Sequence, residues 1–380
     1  MIVYRKINGV HFGVNISKGA GLLCTPEVAD QIDYDIYEFI EYLYLRTEDY
    51  TPMVATWEIT NCCNYSCPFC YINTDAKPAA YIQSFDSMKT AIDDLVEMGL
   101  LLVYLTGGEV LSVPDFERIY RYFKGKGVFV VLLTNLSLLS EEHLKLFHEY
   151  PPLRITTSIY GMTDKQFSYI TGQNANILET VLENVLKLKE MRITVTCQTP
   201  VNRYTKEDIV KIADWCYTHN IRFTCSNELT DSYYNESRSS EFISDEDFSI
   251  IKAQIKQIPP TFLRKKPKFT KRFGFRYNFD CISGKHTFAV SSDMHIRPCF
   301  NIWESDLIAF DGSKSMRAAM QKMKLYISSM KKTVLEGCQG CEASEICSEC
   351  FYTLQKHKNK NCNYLMEKCF ENRKIVEDLF

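Results

Sequence analysis

The sequence of 380 residues lacks the segments that would place a protein in a membrane or outside the cell. No apolar run approaches the length of about 18 residues that a transmembrane helix needs, and residues 1–24 hold no continuous apolar stretch typical of secretion signals. A large excess of charge is also absent, because the formal net charge is −3. A chain this close to neutral is not expected to bind nucleic acid broadly. We therefore predict a cytoplasmic protein without a membrane partner.

Cysteine, in contrast, is abundant, with sixteen residues. Disulfides are not expected without a secretion route, and cysteines at short gaps in a reducing compartment are usually metal ligands. Four scattered cysteines are interpreted as small core residues, namely Cys24, Cys197, Cys216 and Cys225. The others form two groups, the first with Cys62, Cys63, Cys67 and Cys70, and the second with Cys281, Cys299, Cys338, Cys341, Cys347, Cys350, Cys362 and Cys369.

Between residues 53 and 229 the sequence alternates between strand-like and helix-like segments, with six predicted strands and five clear helices between them. Such alternation predicts an α/β fold with parallel strands, in an open sheet or a barrel. Functional residues of these folds lie at the carboxyl ends of the strands. The first cysteine group follows the first strand, and Thr106-Gly107-Gly108-Glu109 follows the second. We therefore expect both segments at the mouth of the sheet or barrel.

Three further regions surround this core, which we assign to residues 53–230. Residues 1–52 predict a small N-terminal cap that is rich in strands and contains a helix at IYEFIEYLYL. Residues 231–275 form a bridge that is first polar and then basic. Residues 276–380 are rich in cysteine and poor in long apolar runs, so their folding is expected to depend on metal.

Within the first group, Cys63, Cys67 and Cys70 have the spacing C-x3-C-x2-C. Three thiolates on one short loop match three corners of a cubic iron–sulfur cluster and leave the fourth iron open for a small molecule. Zinc is the rival metal, but a structural zinc site needs four ligands and catalytic zinc sites usually include histidine or carboxylate. Adjacent cysteines point in different directions, so Cys62 is interpreted as a bystander.

The segment Cys63-Asn64-Tyr65-Ser66-Cys67-Pro68-Phe69-Cys70 resembles the signature of the radical S-adenosylmethionine (radical SAM) enzymes, and Gly107-Gly108-Glu109 resembles their glycine-glycine-glutamate turn. The resemblance implies a partial (β/α)6 TIM-like barrel with S-adenosylmethionine on the open iron of a [4Fe-4S] cluster. Reductive cleavage of the cofactor would then yield a 5′-deoxyadenosyl radical that takes a hydrogen atom from the substrate. The cofactor contacts that the resemblance implies are Phe69, Gly107, Gly108, Glu109, Ser158 and Gln198. Ser158 would approach the ribose, and Gln198 is a weaker candidate, as is Asn202.

One position departs from the pattern of the peptide-modifying relatives. Many of them carry an arginine before a glycine in the loop after the fourth strand, where it faces the cofactor carboxylate. This sequence has Thr171-Gly172 there, and residues 161–175 contain no arginine. The contact to the cofactor carboxylate is therefore left unassigned.

In the second group, Cys338 to Cys350 have the spacing C-x2-C-x5-C-x2-C, which in isolation is typical of zinc ribbons. Together with the cysteines on either side, the segment resembles the SPASM extension of radical SAM enzymes, although Met294 occupies its glycine position and the last gap is two residues instead of three. This resemblance implies two auxiliary [4Fe-4S] clusters. Cys281, Cys299 and Cys350 would bind the nearer one and Cys338, Cys341 and Cys347 the outer one. Cys362 and Cys369 are left to complete the two in either order, unless one cluster keeps an open iron that binds substrate.

Enzymes with this extension typically modify peptides or proteins. Relatives often carry an N-terminal domain that binds the leader of the peptide, so residues 1–52 are either a cap alone or a partial peptide-recognition region of this kind. We therefore predict an enzyme that matures a ribosomally made precursor peptide, by a thioether or carbon–carbon crosslink or a related oxidation, with an electron donor such as flavodoxin or ferredoxin. A sulfatase-maturase type is disfavoured, because Phe300 stands where those enzymes place an aspartate base. Two different classes of protein stay open, an RNA-modifying enzyme, which the basic residues 263–276 suggest, and a non-catalytic iron–sulfur or zinc protein. The sequence indicates no catalytic acid or base.

Overall fold

The computed structural model of the chain describes residues 1–25, 35–44, 50–72, 81–174, 176–227, 241–258, 284–299 and 310–329. The basic stretch at 263–276 lies outside these residues. So do most cysteines of the second group, Cys281, Cys338, Cys341, Cys347, Cys350, Cys362 and Cys369. Their predicted roles stay predictions, and Cys299 is the one cysteine of that group whose position is described.

The N-terminal region forms a three-stranded antiparallel sheet and a helix, as the sequence predicts. The strands are β1 (Ile2–Ile7), β2 (Val10–Asn15) and β3 (Leu22–Cys24), in the order β1-β2-β3, and helix α1 spans Ile36–Tyr44. Helix and sheet pack through Phe12 and Phe39, whose ring centroids are 4.9 Å apart in an edge-to-face arrangement.

The core contains six parallel strands in sequential order, which confirms the predicted α/β alternation. They are β4 (Val54–Glu58), β5 (Leu102–Thr106), β6 (Phe129–Leu133), β7 (Arg154–Thr157), β8 (Val195–Pro200) and β9 (Arg222–Ser226). The helices between them are α2 (Phe85–Met98), α3 (Phe116–Gly125), α4 (Glu141–Glu149), α5 (Asp164–Thr171), α6 (Ile177–Glu190) and α7 (Ile209–Thr218). Helix α5 was not predicted from the sequence.

Three further strands extend the same sheet beyond β4. They are β10 (Thr287–Val290), which runs parallel to β4, and the antiparallel strands β11 (His295–Arg297) and β12 (Phe310–Asp311). A buried ion pair joins the two parts of the sheet, with Arg297 Nη2 3.2 Å from Glu58 Oε2. The segment assigned to the C-terminal region thus shares a sheet with the core, while its boundary at residue 276 stays a prediction. The remaining described helices are α8 (Asp245–Gln257) and α9 (Met316–Ser329).

The parallel strands carry apolar side chains on both faces, and each face belongs to a different core. Val103, Leu105, Val130 and Leu132 point to the helices and join a large core that includes Trp57. On the other face Leu102, Phe129 and Val131, in the amino-terminal halves of their strands, pack against Phe12 and Phe39 of the cap. Burial on both faces explains why these strands are continuous apolar runs. The cap therefore packs on the face of β5 and β6 that is turned away from the helices, which we call the inner face of the sheet.

No helix in the described part of the chain is both long and apolar enough to cross a membrane.

Candidate cofactor and metal site

The inner face of the sheet, opposite the helices, is polar near the carboxyl ends of the last three parallel strands, β7 to β9. We call this region the polar wall. Ile155, Cys197 and Phe223 belong to the core on the helix side, so strand alternation turns their neighbours to the inner face. Register pairs Gln198 with Thr224, and Ser158 Oγ donates to the carbonyl oxygen of Gln198 at 2.5 Å. The side chains of Gln198 and Thr224 are exposed. The predicted cofactor contacts Ser158 and Gln198 therefore lie next to each other on this face, and their contact with a cofactor stays a prediction.

The preceding inner-facing residues of the same strands, nearer their amino ends, include a charged side chain. Register aligns Thr156 on β7 with Thr196 on β8 and Arg222 on β9. Arg222 is exposed, whereas Thr196 is buried. These strands thus present hydroxyl and amide groups and the Arg222 side chain, which suits a polar ligand.

The cysteine loop begins directly after β4, at the carboxyl edge of the sheet. Cys63, Cys67 and Cys70 are all partly buried. Burial raises the pKa of the Cys67 thiol well above its usual range, and the nearby thiols of Cys70 and Cys63 raise this pKa further. In the described ranges no set of three His, Cys, Asp or Glu side chains is arranged to hold a metal ion. The three thiols lie on one loop, and those of Cys63 and Cys70 are close enough to Cys67 to affect its pKa.

Cys62 differs from its three neighbours in what it contacts. Its backbone N–H donates to Thr60 Oγ1 at 3.0 Å, and its Sγ lies 3.7 Å from Asn61 Oδ1. Its carbonyl oxygen accepts a hydrogen bond from the N–H of Glu109 at 2.8 Å. Through these contacts Cys62 joins the cysteine loop to the glycine turn. Its role as a bystander in metal binding stays a prediction.

The glycine turn after β5 packs against the cysteine loop, backbone on backbone. The N–H of Gly108 donates to the carbonyl oxygen of Thr60 at 2.8 Å, beside the bond from Glu109 to Cys62. A Cβ at Gly108 would lie 1.9 Å from the carbonyl oxygen of Cys62, which real structures do not tolerate. Gly107 adopts φ = +145°, a conformation that side chains disfavour. Both glycines are therefore needed for the close approach of the two loops.

Glu109 is fully buried and holds two strand ends together. Its carboxylate accepts hydrogen bonds from Leu111 N at 2.9 Å, Thr134 Oγ1 at 2.6 Å and Asn135 N at 2.7 Å. Burial raises the pKa of Glu109, and these hydrogen bonds oppose the rise. In this structure the carboxylate thus ties the end of β5 to the end of β6, and its contact with a cofactor ammonium stays a prediction.

The segment Thr171–Gln173 braces the cysteine loop from the other side. Ser66 N donates to the carbonyl oxygen of Thr171 at 2.8 Å, and Gln173 Nε2 donates to the carbonyl oxygen of Asn64. Gly172 ends helix α5 in the left-handed conformation, with φ = +70°. The Thr171 carbonyl oxygen and the Gln173 side chain thus hold the cysteine loop. Sequence reasoning missed this role, although a glycine after a short helix is a known C-terminal signal.

An aromatic cluster anchors the end of the cysteine loop. The buried ring of Phe69 packs edge-to-face on Tyr160, with centroids 5.2 Å apart, and lies 6.1 Å from the ring of Tyr204. Burial raises the pKa of Tyr160 well above its usual range, and the thiols of Cys67 and Cys70 add to the shift. Phe69 therefore positions the loop, and its predicted contact with a cofactor stays a prediction. The predicted weaker candidate, Asn202, is buried instead, and its Oδ1 accepts from the backbone of Tyr204.

The donor set and its surroundings fit an iron–sulfur cluster with a bound organic ligand. Three thiols on a single loop supply the ligands of a cluster with one open iron. The polar wall of β7 to β9 lies at the same carboxyl edge of the sheet as this loop. Together, fold and site define an α/β protein of the partial-barrel type with a thiol-rich loop after the first core strand.

Comparison with known proteins gives this class its name. Residues 57–216 match the model of the Radical SAM superfamily, and the chain therefore carries a radical SAM domain.

Two curated proteins illustrate the similarity in sequence. The AdoMet-dependent heme synthase of Methanosarcina barkeri (strain Fusaro / DSM 804) is 30% identical over 161 residues, which are 42% of this chain and 46% of that protein. The sporulation killing factor maturation protein SkfB of Bacillus subtilis (strain 168) is 25% identical over 175 residues, 44% of this chain and 40% of that protein. The chain thus spans less than half of the length of these two relatives.

Solved structures of Streptococcus suis SuiB share the fold over most of the chain. The complex with S-adenosylmethionine has a TM-score of 0.63 at 14% identity and covers 93% of this chain and 95% of SuiB. The complex of SuiB with its precursor peptide SuiA gives a TM-score of 0.62 at 13% identity, with the same coverage. At this identity the likeness is one of fold.

Proposed function

We propose that the protein is a radical SAM enzyme that takes a hydrogen atom from a ribosomally made peptide and so matures it. One observation carries this proposal: the loop of Cys63, Cys67 and Cys70 packs against the turn of Gly107 and Gly108, at the mouth of a parallel α/β sheet. The three thiolates would hold a [4Fe-4S] cluster. When bound, this cluster supplies the electron that cleaves S-adenosylmethionine to a 5′-deoxyadenosyl radical.

The chain's own residues position the reactants and exclude water. The hydrogen bonds from Gly108 and Glu109 fix the cysteine loop, and the cap packs apolar side chains on the inner face of β5 and β6. Ser158 and Gln198 offer polar groups for the cofactor's ribose on the polar wall of β7 to β9. Water-free surroundings protect a radical from side reactions, and orientation of cofactor and substrate is the protein's main contribution.

We extend the proposal to the C-terminal cysteines and to an electron donor. Eight cysteines of the second group suffice for two complete auxiliary [4Fe-4S] clusters. Cys299 is partly buried and lies two residues beyond the end of β11, after Pro298. A cytoplasmic flavodoxin or ferredoxin would supply electrons to a protein of this kind.

A peptide substrate is supported by two similar proteins. SkfB is by name a maturation protein for a killing factor, and SuiB has been solved with its precursor peptide SuiA. Anaerobic incubation of the reconstituted protein with S-adenosylmethionine, dithionite and small peptides encoded beside it, followed by mass spectrometry, tests the assignment. We expect a peptide to lose two hydrogens per crosslink or oxidation, and no mass change with the Cys63, Cys67 and Cys70 triple alanine variant.

A heme precursor is the second candidate substrate, because a curated relative with 30% identity is a heme synthase by name. The same incubation with an iron porphyrin separates the two candidates. A change in the porphyrin with all peptides unmodified would favour the heme precursor and overturn the peptide assignment.

A further inference from the structure

Asn135, two residues beyond the end of β6, lies at the centre of a hydrogen-bond network in the site. Its backbone N–H donates to Glu109 Oε2 at 2.7 Å. Its side-chain Nδ2 donates to Asn64 Oδ1 at 2.8 Å and lies 4.0 Å from Cys63 Sγ. One residue thus links the buried carboxylate of the glycine turn to the first cysteine of the loop.

The orientation of the Asn135 amide is determined by its partners. Its Oδ1 accepts hydrogen bonds from Ser137 N at 2.9 Å and Ser137 Oγ at 2.7 Å. A backbone N–H can only donate, so the group facing it must be the amide oxygen. The Nδ2 donor is therefore left for Asn64 and the sulfur of Cys63.

The backbone beside Asn135 adopts an unusual conformation that its neighbours hold in place. Leu136 is buried and has φ = +62°, which is uncommon for a residue with a side chain. Its N–H donates to Thr134 Oγ1 at 3.1 Å, and its carbonyl oxygen accepts from Asn184 Nδ2 at 2.9 Å. Conformations of this kind often occur at functional sites, where surrounding contacts maintain them. Here the two hydrogen bonds of Leu136 hold the backbone in a conformation in which the Asn135 side chain faces the cysteine loop.

Cys63 receives a second N–H donor from its own loop. The backbone N–H of Tyr65 donates to Cys63 Sγ at 3.3 Å. Hydrogen bonds to the sulfurs of an iron–sulfur cluster stabilise its more negative, reduced state and so raise its reduction potential. A side-chain donor can be removed by mutation, whereas the Tyr65 donor cannot, which makes Asn135 the residue to test.

We propose that Asn135 is a positioning residue that sets the reduction potential and the stability of the cluster through an N–H···S contact to Cys63. The inference rests on the proposed cluster at Cys63, Cys67 and Cys70. It assigns Asn135 a role in controlling how easily the cluster accepts the electron for cofactor cleavage.

The test compares reconstituted full-length wild type with Asn135→Ala, Asn135→Asp and the matched control Ser137→Ala. Asn135→Asp keeps the acceptor for Ser137 but replaces the donor that faces Cys63 by an oxygen. Ser137→Ala removes the Oγ contacts to Asn135 and Asn64 but keeps the Ser137 N–H that orients the Asn135 amide, so the donor to Cys63 stays in place. The readout is the midpoint potential of the cluster whose electron paramagnetic resonance spectrum changes when S-adenosylmethionine is added, together with the rate of iron loss to a chelator.

We expect lower midpoint potentials in both Asn135 variants, with the larger shift in Asn135→Asp because of its added negative charge. Groups that orient metal ligands typically contribute about 10- to 100-fold to metal affinity, so iron loss should be faster in both variants and near the wild-type rate in Ser137→Ala. Potentials and rates equal to those of Ser137→Ala would overturn the role of Asn135 alone. A wild-type protein without any cluster that responds to S-adenosylmethionine would overturn the proposed function and this inference with it.

Discussion

Replacement of Gly108 by alanine should separate the glycine turn from the cysteine loop. The new Cβ would lie 1.9 Å from the carbonyl oxygen of Cys62 and 2.7 Å from the nitrogen of Cys63, both backbone atoms that cannot rotate away. Ordinary van der Waals contact starts at 3.4 Å, so turn and loop must move apart by about 1.5 Å. A shift of this size breaks the hydrogen bonds from Gly108 to Thr60 and from Glu109 to Cys62.

The energetic consequence follows from those two bonds. The loss of each bond should cost about 1–2 kcal/mol, because such a bond contributes about 0.5–1.5 kcal/mol net and a partner left buried without a bond costs about 1–3 kcal/mol instead. We therefore expect Gly108→Ala to lower the free energy of unfolding by about 2–4 kcal/mol and to reduce iron loading at the first cysteine group. Anaerobic urea denaturation and iron analysis measure the two effects.

Gly125→Ala provides a matched control for this experiment. Gly125 is the last residue of α3, and a Cβ there meets no atom within 4 Å. Alanine in a helix is favoured over glycine by about 0.5–1 kcal/mol, so this variant should be as stable as wild type or slightly more stable. If Gly108→Ala unfolds at the same urea concentration as Gly125→Ala and binds as much iron, the packing argument for the glycine turn is wrong.

Three other predictions concern the buried charges and the metal content. Burial lowers the pKa of Lys124 to about 8 from its ordinary 10.5. Between pH 8 and pH 10.5 the unfolded chain therefore binds a proton at Lys124 that the folded chain does not. The free energy of unfolding should consequently rise by about 3 kcal/mol as the pH increases across this range. Lys124→Met should flatten this rise in denaturation experiments across pH, and an unchanged slope would contradict it. Thr134→Val removes a donor 2.6 Å from the buried Glu109 carboxylate and should cost about 1.5–3 kcal/mol, whereas the exposed Thr224→Val should change stability by less than about 0.5 kcal/mol. Anaerobic reconstitution should load about twelve irons, four for each of three cubic clusters; stoichiometric zinc with about four irons would refute the auxiliary clusters.

Local patterns were sufficient to predict the central strands. Leu101–Thr106 and Val128–Leu133 are apolar runs, because the helices cover one face of the sheet and the cap covers much of the other. Helix α5 was missed, since its eight residues are too few to show a clear helical period. The glycine turn and the spacing of the three thiols could also be recognised in the sequence, because each motif consists of a few neighbouring residues.

Contacts between distant residues could not be predicted in the same way. The ion pair of Glu58 and Arg297 joins residues 239 positions apart, and no local pattern indicates that β10 and β11 extend the core sheet. Asn135 follows a strand as many asparagines do, and only the folded chain shows it beside Cys63. The hydrogen bond from Ser66 N to the carbonyl oxygen of Thr171 likewise joins two different loops.

The most direct test of the central claim is the formation of 5′-deoxyadenosine by the reconstituted protein with S-adenosylmethionine and dithionite under strict anaerobic conditions. Wild type and Cys62→Ala should both form the product, since Cys62 is not expected to be a cluster ligand. The variant with alanine at Cys63, Cys67 and Cys70 should form none while it retains about eight irons in the C-terminal region. Product formation by this triple variant at the wild-type rate, or no product from wild type that carries a full complement of iron, would contradict the assignment of the site.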